Sequence, residues 1–90
     1  MSRWRDVALH SVRVACYRHS IGWRVHTHLT AARASDLEAA VLVYVRTDLT
    51  QWQDELEPEV LQVLPGSSAE VLDAHQEGVT VALWPPHRGG

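Results

Sequence analysis

The chain has 90 residues, 46% of them apolar and 21% charged, with a formal net charge of −3 and a single cysteine. This describes one small globular domain, which buries only about 60–65% of its unfolded surface and leaves little room for an interior catalytic chamber. The lone Cys16 excludes an intramolecular disulfide and a cysteine-based zinc site, and the longest apolar run, Ala39 to Val45, is far short of the ~20 residues that span a bilayer.

Residues 1–10 show no clear period and read as an extension. From Val12 the pattern alternates, with Val12, Val14 and Cys16 on one side and Arg13, Ala15 and Tyr17 on the other. It resumes after His19-Ser20-Ile21-Gly22, with Trp23, Val25, Thr27 and Leu29 against Arg24, His26, His28 and Thr30. Folding the segment about Ser20-Ile21 pairs Cys16 with Val25, Val14 with Thr27 and Val12 with Leu29, which predicts a β-hairpin. Gly22 is expected to supply a positive φ at its turn.

Ser35-Asp36-Leu37-Glu38 has the spacing of a capping box, and Leu37, Val41, Tyr44 and Val45 behind it form a helical stripe. The run Val41 to Val45 would also suit a buried strand; the capping box favours a helix, with Leu49, Trp52 and Leu56 extending it or forming a second helical turn. Pro58 should end helical structure. Val60 to Leu64 then reads as a short strand, and Ser67-Ser68-Ala69-Glu70 as the start of a short helix that Gly78 stops. Val79, Val81 and Leu83 alternate with Thr80, Ala82 and Trp84 as a final strand, which Pro85-Pro86 terminates. His87-Arg88-Gly89-Gly90 is left as an exposed tail.

Charge is lopsided. Residues 1–33 carry six Arg and one acid, net +5, whereas residues 34–90 carry two Arg and ten acids, net −8. All eight basic residues are arginine. A basic first third suggests an anion-binding face or a complement to an acidic partner, while the overall balance is too acidic for a dedicated nucleic-acid binder.

The order hairpin, helix, strand, short helix, strand and Gly-Gly tail resembles the β-grasp fold of ubiquitin and its relatives, an α+β class in which a mixed sheet wraps one helix. The resemblance covers about residues 11–90, with a core at 11–84 and a tail at 85–90. It is carried by the Gly22 turn, Ser35-Asp36-Leu37-Glu38, Gly78-Val79-Thr80-Val81-Ala82-Leu83 and the terminal Arg88-Gly89-Gly90, which matches the end of ubiquitin. Sulfur carriers of thiamine and molybdopterin synthesis also end in Gly-Gly.

The resemblance implies a prokaryotic-type protein modifier rather than an enzyme. Its Gly90 carboxylate would be adenylated by an E1-like activating enzyme using ATP, passed on as a thioester and conjugated to a protein target. An E2-like enzyme and a deconjugating peptidase are implied partners, and no cofactor of its own is expected. The alternatives are a sulfur carrier with a Gly90 thiocarboxylate, or a non-covalent protein-binding module. Gly89 and Gly90 lack a Cβ, so their backbone can thread a narrow channel. Two positions before Arg88, where ubiquitin has an arginine, stands Pro86, which points to a dedicated activating enzyme. The expected partner surface comprises Trp84 and Ala82 on the open sheet face, Ile21 at the hairpin tip and His87 in the tail.

Other constellations are weaker. His26-x-His28 could chelate zinc from one strand face, but Arg13 beside it disfavours a cation, and no metal site is expected. Arg13, Tyr17, Arg24, His26 and His28 form a basic face suited to an acidic protein more than to nucleic acid. Cys16 points inward as an inert small hydrophobe. No Ser-His-Asp order or phosphate loop stands out. With neither a membrane span nor a secretory signal, the chain is expected in the cytoplasm.

Overall fold

The computed structural model describes residues 3–26 and 40–86. Helix α1 (Arg3–Arg18) leads into a short strand β1 (Trp23–Val25), and the chain returns as β2 (Val41–Val45). A second helix, α2, runs in three consecutive stretches: α-helical Leu49–Gln51, π-helical Trp52–Leu56 and α-helical Glu57–Gln62. Strands β3 (Ser68–Ala74) and β4 (Val79–Trp84) follow. The strands form one sheet in the order β1-β2-β4-β3, with every neighbouring pair antiparallel. The architecture is α+β, with both helices packed on one face of the sheet.

The predicted hairpin is instead a helix followed by an edge strand. Ala8, Ser11, Val12, Ala15 and Cys16 are buried at the i, i+3, i+4, i+7, i+8 spacing of one helical stripe. The alternation of Val12, Val14 and Cys16 is incidental, since Val14 faces solvent at 42% exposure while Val12 and Cys16 are buried. Arg3 to His10, expected as an extension, form the first half of α1. The Ser11 hydroxyl donates to the Val60 carbonyl at 2.9 Å and ties α1 to α2. Trp4 Nε1 donates to Ser67 Oγ, also at 2.9 Å.

α1 ends in a Schellman turn. The Ile21 N–H bonds to the Cys16 carbonyl, the Ser20 N–H bonds to that of Tyr17, and Ser20 itself adopts φ 57°. Gly22, expected to need positive φ, does not use it; Ser20 takes the left-handed place instead.

Val41 to Val45 is the central strand β2, not a helix, because it is covered on both faces. Val41, Val43 and Val45 face the helices and Leu42 is buried on the other side. Residues 35–38, the expected capping box, lie outside the described residues. The helix cap that forms is Asp48, whose Oδ1 accepts from the Gln51 N–H at 2.7 Å, an Asp-x-x-Gln start. Pro58 does not end this helix. The Glu57 N–H reaches back five residues to the Trp52 carbonyl, and the widened turn admits the proline ring. Val60 to Leu64, read as a strand, thus includes the last turn of α2.

Ser67-Ser68-Ala69-Glu70, read as a helix start, leads into β3. β3 pairs with β4 through a hairpin closed by the His75 N–H on the Gly78 carbonyl. A register shift between Val71 and Asp73 makes Leu72 the extra residue of a bulge. The final strand over Val79–Trp84 forms as expected and ends before Pro85-Pro86. The main core joins Ala8, Val12 and Cys16 of α1 and Trp52, Leu56 and Val60 of α2 to the inward valines of β2 and β4.

Candidate functional site

The opposite face of the sheet splits into two regions. At one end Ala40, Leu42 and Ala82 form a small buried cluster with Leu72 and Trp84 packed against it. Ala82, expected to be open to a partner, is fully buried there. Trp84 is half-buried. Ile21 is not near this face: the α1 C-terminal turn directs it against the main core on the helix side. His87, Arg88, Gly89 and Gly90 lie outside the described residues, as does His28.

At the other end a groove of about 420 Å³ is lined by Gly22, Trp23, Arg24, Tyr44, Arg46 and Glu77. Its geometry follows from strand pairing. Arg24 lies opposite Tyr44 in the β1–β2 register, and its guanidinium carbon sits 5.3 Å from the centre of the Tyr44 ring. The ring in turn lies on Gly78, where an added Cβ would collide with its Cζ and Oη. Arg46 is held alongside. Its N–H donates to the Gly22 carbonyl at 2.9 Å, and its Cδ would lie 3.3 Å from a Cβ at Gly22. Two glycines therefore allow an aromatic ring and an arginine stem to lie against bare backbone.

Among the described residues, neither Arg24 nor Arg46 has a carboxylate within ion-pair distance. Other basic groups are engaged elsewhere. Arg18 lies 4.0 Å from Glu59, and His19 sits between Glu55 at 3.4 Å and Glu59 at 3.2 Å, so part of the charge asymmetry is satisfied where α1 meets α2. Arg5 donates to the Ala40 carbonyl. The groove can thus offer two planar, permanently charged forks to an anionic group, with Tyr44 as an apolar floor.

The basic face expected from Arg13, Tyr17, Arg24 and His26 is divided between elements, since Arg13 and Tyr17 stand on α1 and Arg24 on β1. Cys16 is buried as expected, though on a helix, and burial pushes its thiol up to about 11. Among the described residues no three His, Cys, Asp or Glu side chains are grouped to hold a metal ion, and no helix is long and apolar enough to cross a membrane. Sequence reasoning missed Tyr44 and Arg46 as site residues. Their signal was the alternation Leu42-Tyr44 against Val41-Val43-Val45, which becomes visible only once the run is placed on a strand. No family model, curated protein or solved structure matches the chain.

Proposed function

We propose that the protein is a non-covalent protein-binding module that receives an acidic segment of its partner at the Arg24–Arg46 groove. The observation that carries this reading is that Arg24, with its guanidinium over Tyr44, and Arg46, with its stem along Gly22, line one groove in which Glu77 is the single acid and no carboxylate of the described residues lies within ion-pair distance of either. Both arginines are exposed, and an arginine beside an aromatic ring is a favoured interface anchor once a partner covers it. The acids of α2 project from the helix side of the sheet, so the net charge of −3 does not place them in the groove. The test is titration of the full chain with a glutamate-rich peptide at low and at physiological salt, followed by Trp23 fluorescence. Binding that weakens with salt and falls about tenfold in Arg24→Glu or Arg46→Glu supports the reading. Equal affinity in the variants ends it.

A second reading, the Gly-Gly modifier with a β-grasp core, or its sulfur-carrier relative, is favoured by one feature. β4 is a central strand that runs directly to Pro85-Pro86 and the last four residues. A four-stranded sheet with a helix packed on one face also agrees with it. Against it stand α1, placed before the sheet, and a sheet whose pairs are all antiparallel where the family's is mixed. Expression in the native host beside a form lacking Gly89 and Gly90 separates the two. Tail-dependent adducts of higher mass support conjugation. A mass shift of one oxygen-to-sulfur exchange supports the carrier, and identical behaviour of both forms leaves the binding module.

A further inference from the structure

The register of β1 determines more than where Arg24 points. The Arg46 N–H bonds to the Gly22 carbonyl, and the His26 N–H bonds to the Leu42 carbonyl. In an antiparallel ladder such hydrogen-bonded positions alternate, so Gly22, Arg24 and His26 address β2 with their backbone groups. Trp23 and Val25 must then turn their N–H and C=O groups away from β2. β1 is an edge strand, and among the described residues no backbone pairs with that outer side. Its margins are furnished with side chains. Towards α1, a groove of about 380 Å³ lies between Trp23 and the Asp6, Leu9, His10 and Arg13 side chains. Val25 is 45% exposed beside it. On the opposite face stand Arg24 and Arg46.

We propose that the partner's acidic segment binds in extended form, as an added strand along the outer edge of β1. This rests on the binding reading above and specifies how the segment sits. A residue of that strand facing Arg24 occupies a non-hydrogen-bonded position, where cross-strand side chains approach most closely, so a carboxylate there meets the guanidinium directly. Its neighbours turn to the other face, where the Trp23–Leu9 groove takes an apolar side chain. The recognised pattern is therefore acidic and apolar residues in alternation. A second copy of this chain fits poorly. Antiparallel pairing of β1 with itself about Arg24 opposes two guanidiniums, and the acidic edge of β3 is interrupted by its bulge at Leu72.

The test uses the full chain, isotope-labelled, and a short peptide alternating glutamate and valine. The Trp23 and Val25 amides should exchange freely alone and gain at least about tenfold protection with the peptide. A peptide of the same sequence, N-methylated on the edge that faces β1, should bind at least about tenfold more weakly. If both peptides bind equally in an Arg24-dependent manner and the Trp23 and Val25 amides stay unprotected, strand addition is overturned while groove binding stands. If neither peptide binds, both readings fall. Protection that grows with protein concentration alone also overturns the proposal, in favour of self-pairing. Arg24→Gln, which keeps an uncharged side chain of similar reach, provides a folded comparison for Arg24→Glu.

Discussion

The two faces of the sheet are built for different ends. Under the helices, aliphatic side chains from five elements interlock around Trp52, Leu56, Val43 and Val81, all fully buried. On the other side, burial is confined to the patch around Leu42 and Ala82, and the remaining surface carries Arg24, Tyr44 and Arg46. A chain of this length can complete one thick core but not two. Its second face is therefore where unsatisfied chemistry can reside without threatening the fold.

Substitutions can break this comparison in order of size. Leu56→Ala, beneath the helices, should cost about 3–5 kcal/mol in denaturant unfolding, whereas Leu42→Ala on the thinner side should cost no more than about 2 kcal/mol. Equal losses would mean that the two faces share the stability. Gly78→Ala drives a Cβ into the Tyr44 ring and should cost about 1–3 kcal/mol. It should also displace Arg24, measurable as weaker peptide binding in protein that remains folded.

Cys16 lets pH probe the helix side. Its thiol is raised from 9.0 to about 11 by burial, so the unfolded chain ionises first. Stability from this group is complete below about pH 9 and is lost as pH rises towards 11, by roughly 1 kcal/mol at pH 10. Cys16→Ala should remove that slope. Ser20→Gly relieves the left-handed backbone at the end of α1 and should stabilise by about 0.5–1 kcal/mol. Smallest of all, Arg24→Gln should move the unfolding midpoint by no more than about 0.5 kcal/mol, because an exposed guanidinium over a ring contributes little to folding.

What was legible in the sequence was the strand whose signal is purely local. Val79 to Trp84 alternates cleanly and stops at two prolines. α1 was hidden because, Val12 apart, its buried stripe is made of Ala8, Ser11, Ala15 and Cys16, small residues that weigh little in an apolar pattern, while Val7 and Val14 face solvent. β3 was hidden because Leu72 is an apolar residue on the open face directly after inward Val71, and the bulge then sets Asp73 opposite Thr80, which breaks the two-residue period. The run at Val41 exceeded what periodicity can resolve. Two Ser-x-x-Glu spacings drew attention from Asp48-x-x-Gln51, which caps α2. As for the site, Arg24 was visible as part of a basic set, but its partners Tyr44, Arg46 and Gly78 come from segments brought together only by strand pairing.

The widened turn before Pro58 also solves a problem of phase. Along α2, Trp52, Leu56 and Val60 recur every fourth residue, and all three are buried. In a straight α-helix that interval overshoots one turn by about 40°, so such a row would wind roughly 80° around the axis from first to last. The broader π turn takes up more residues per revolution and keeps the row in line over the sheet. Pro58 thus works as a timing element. Pro58→Ala, which helix propensity alone would rate as favourable by about 3 kcal/mol, should gain far less than that in denaturant unfolding, because the freed helix can tighten and turn Val60 off its seat.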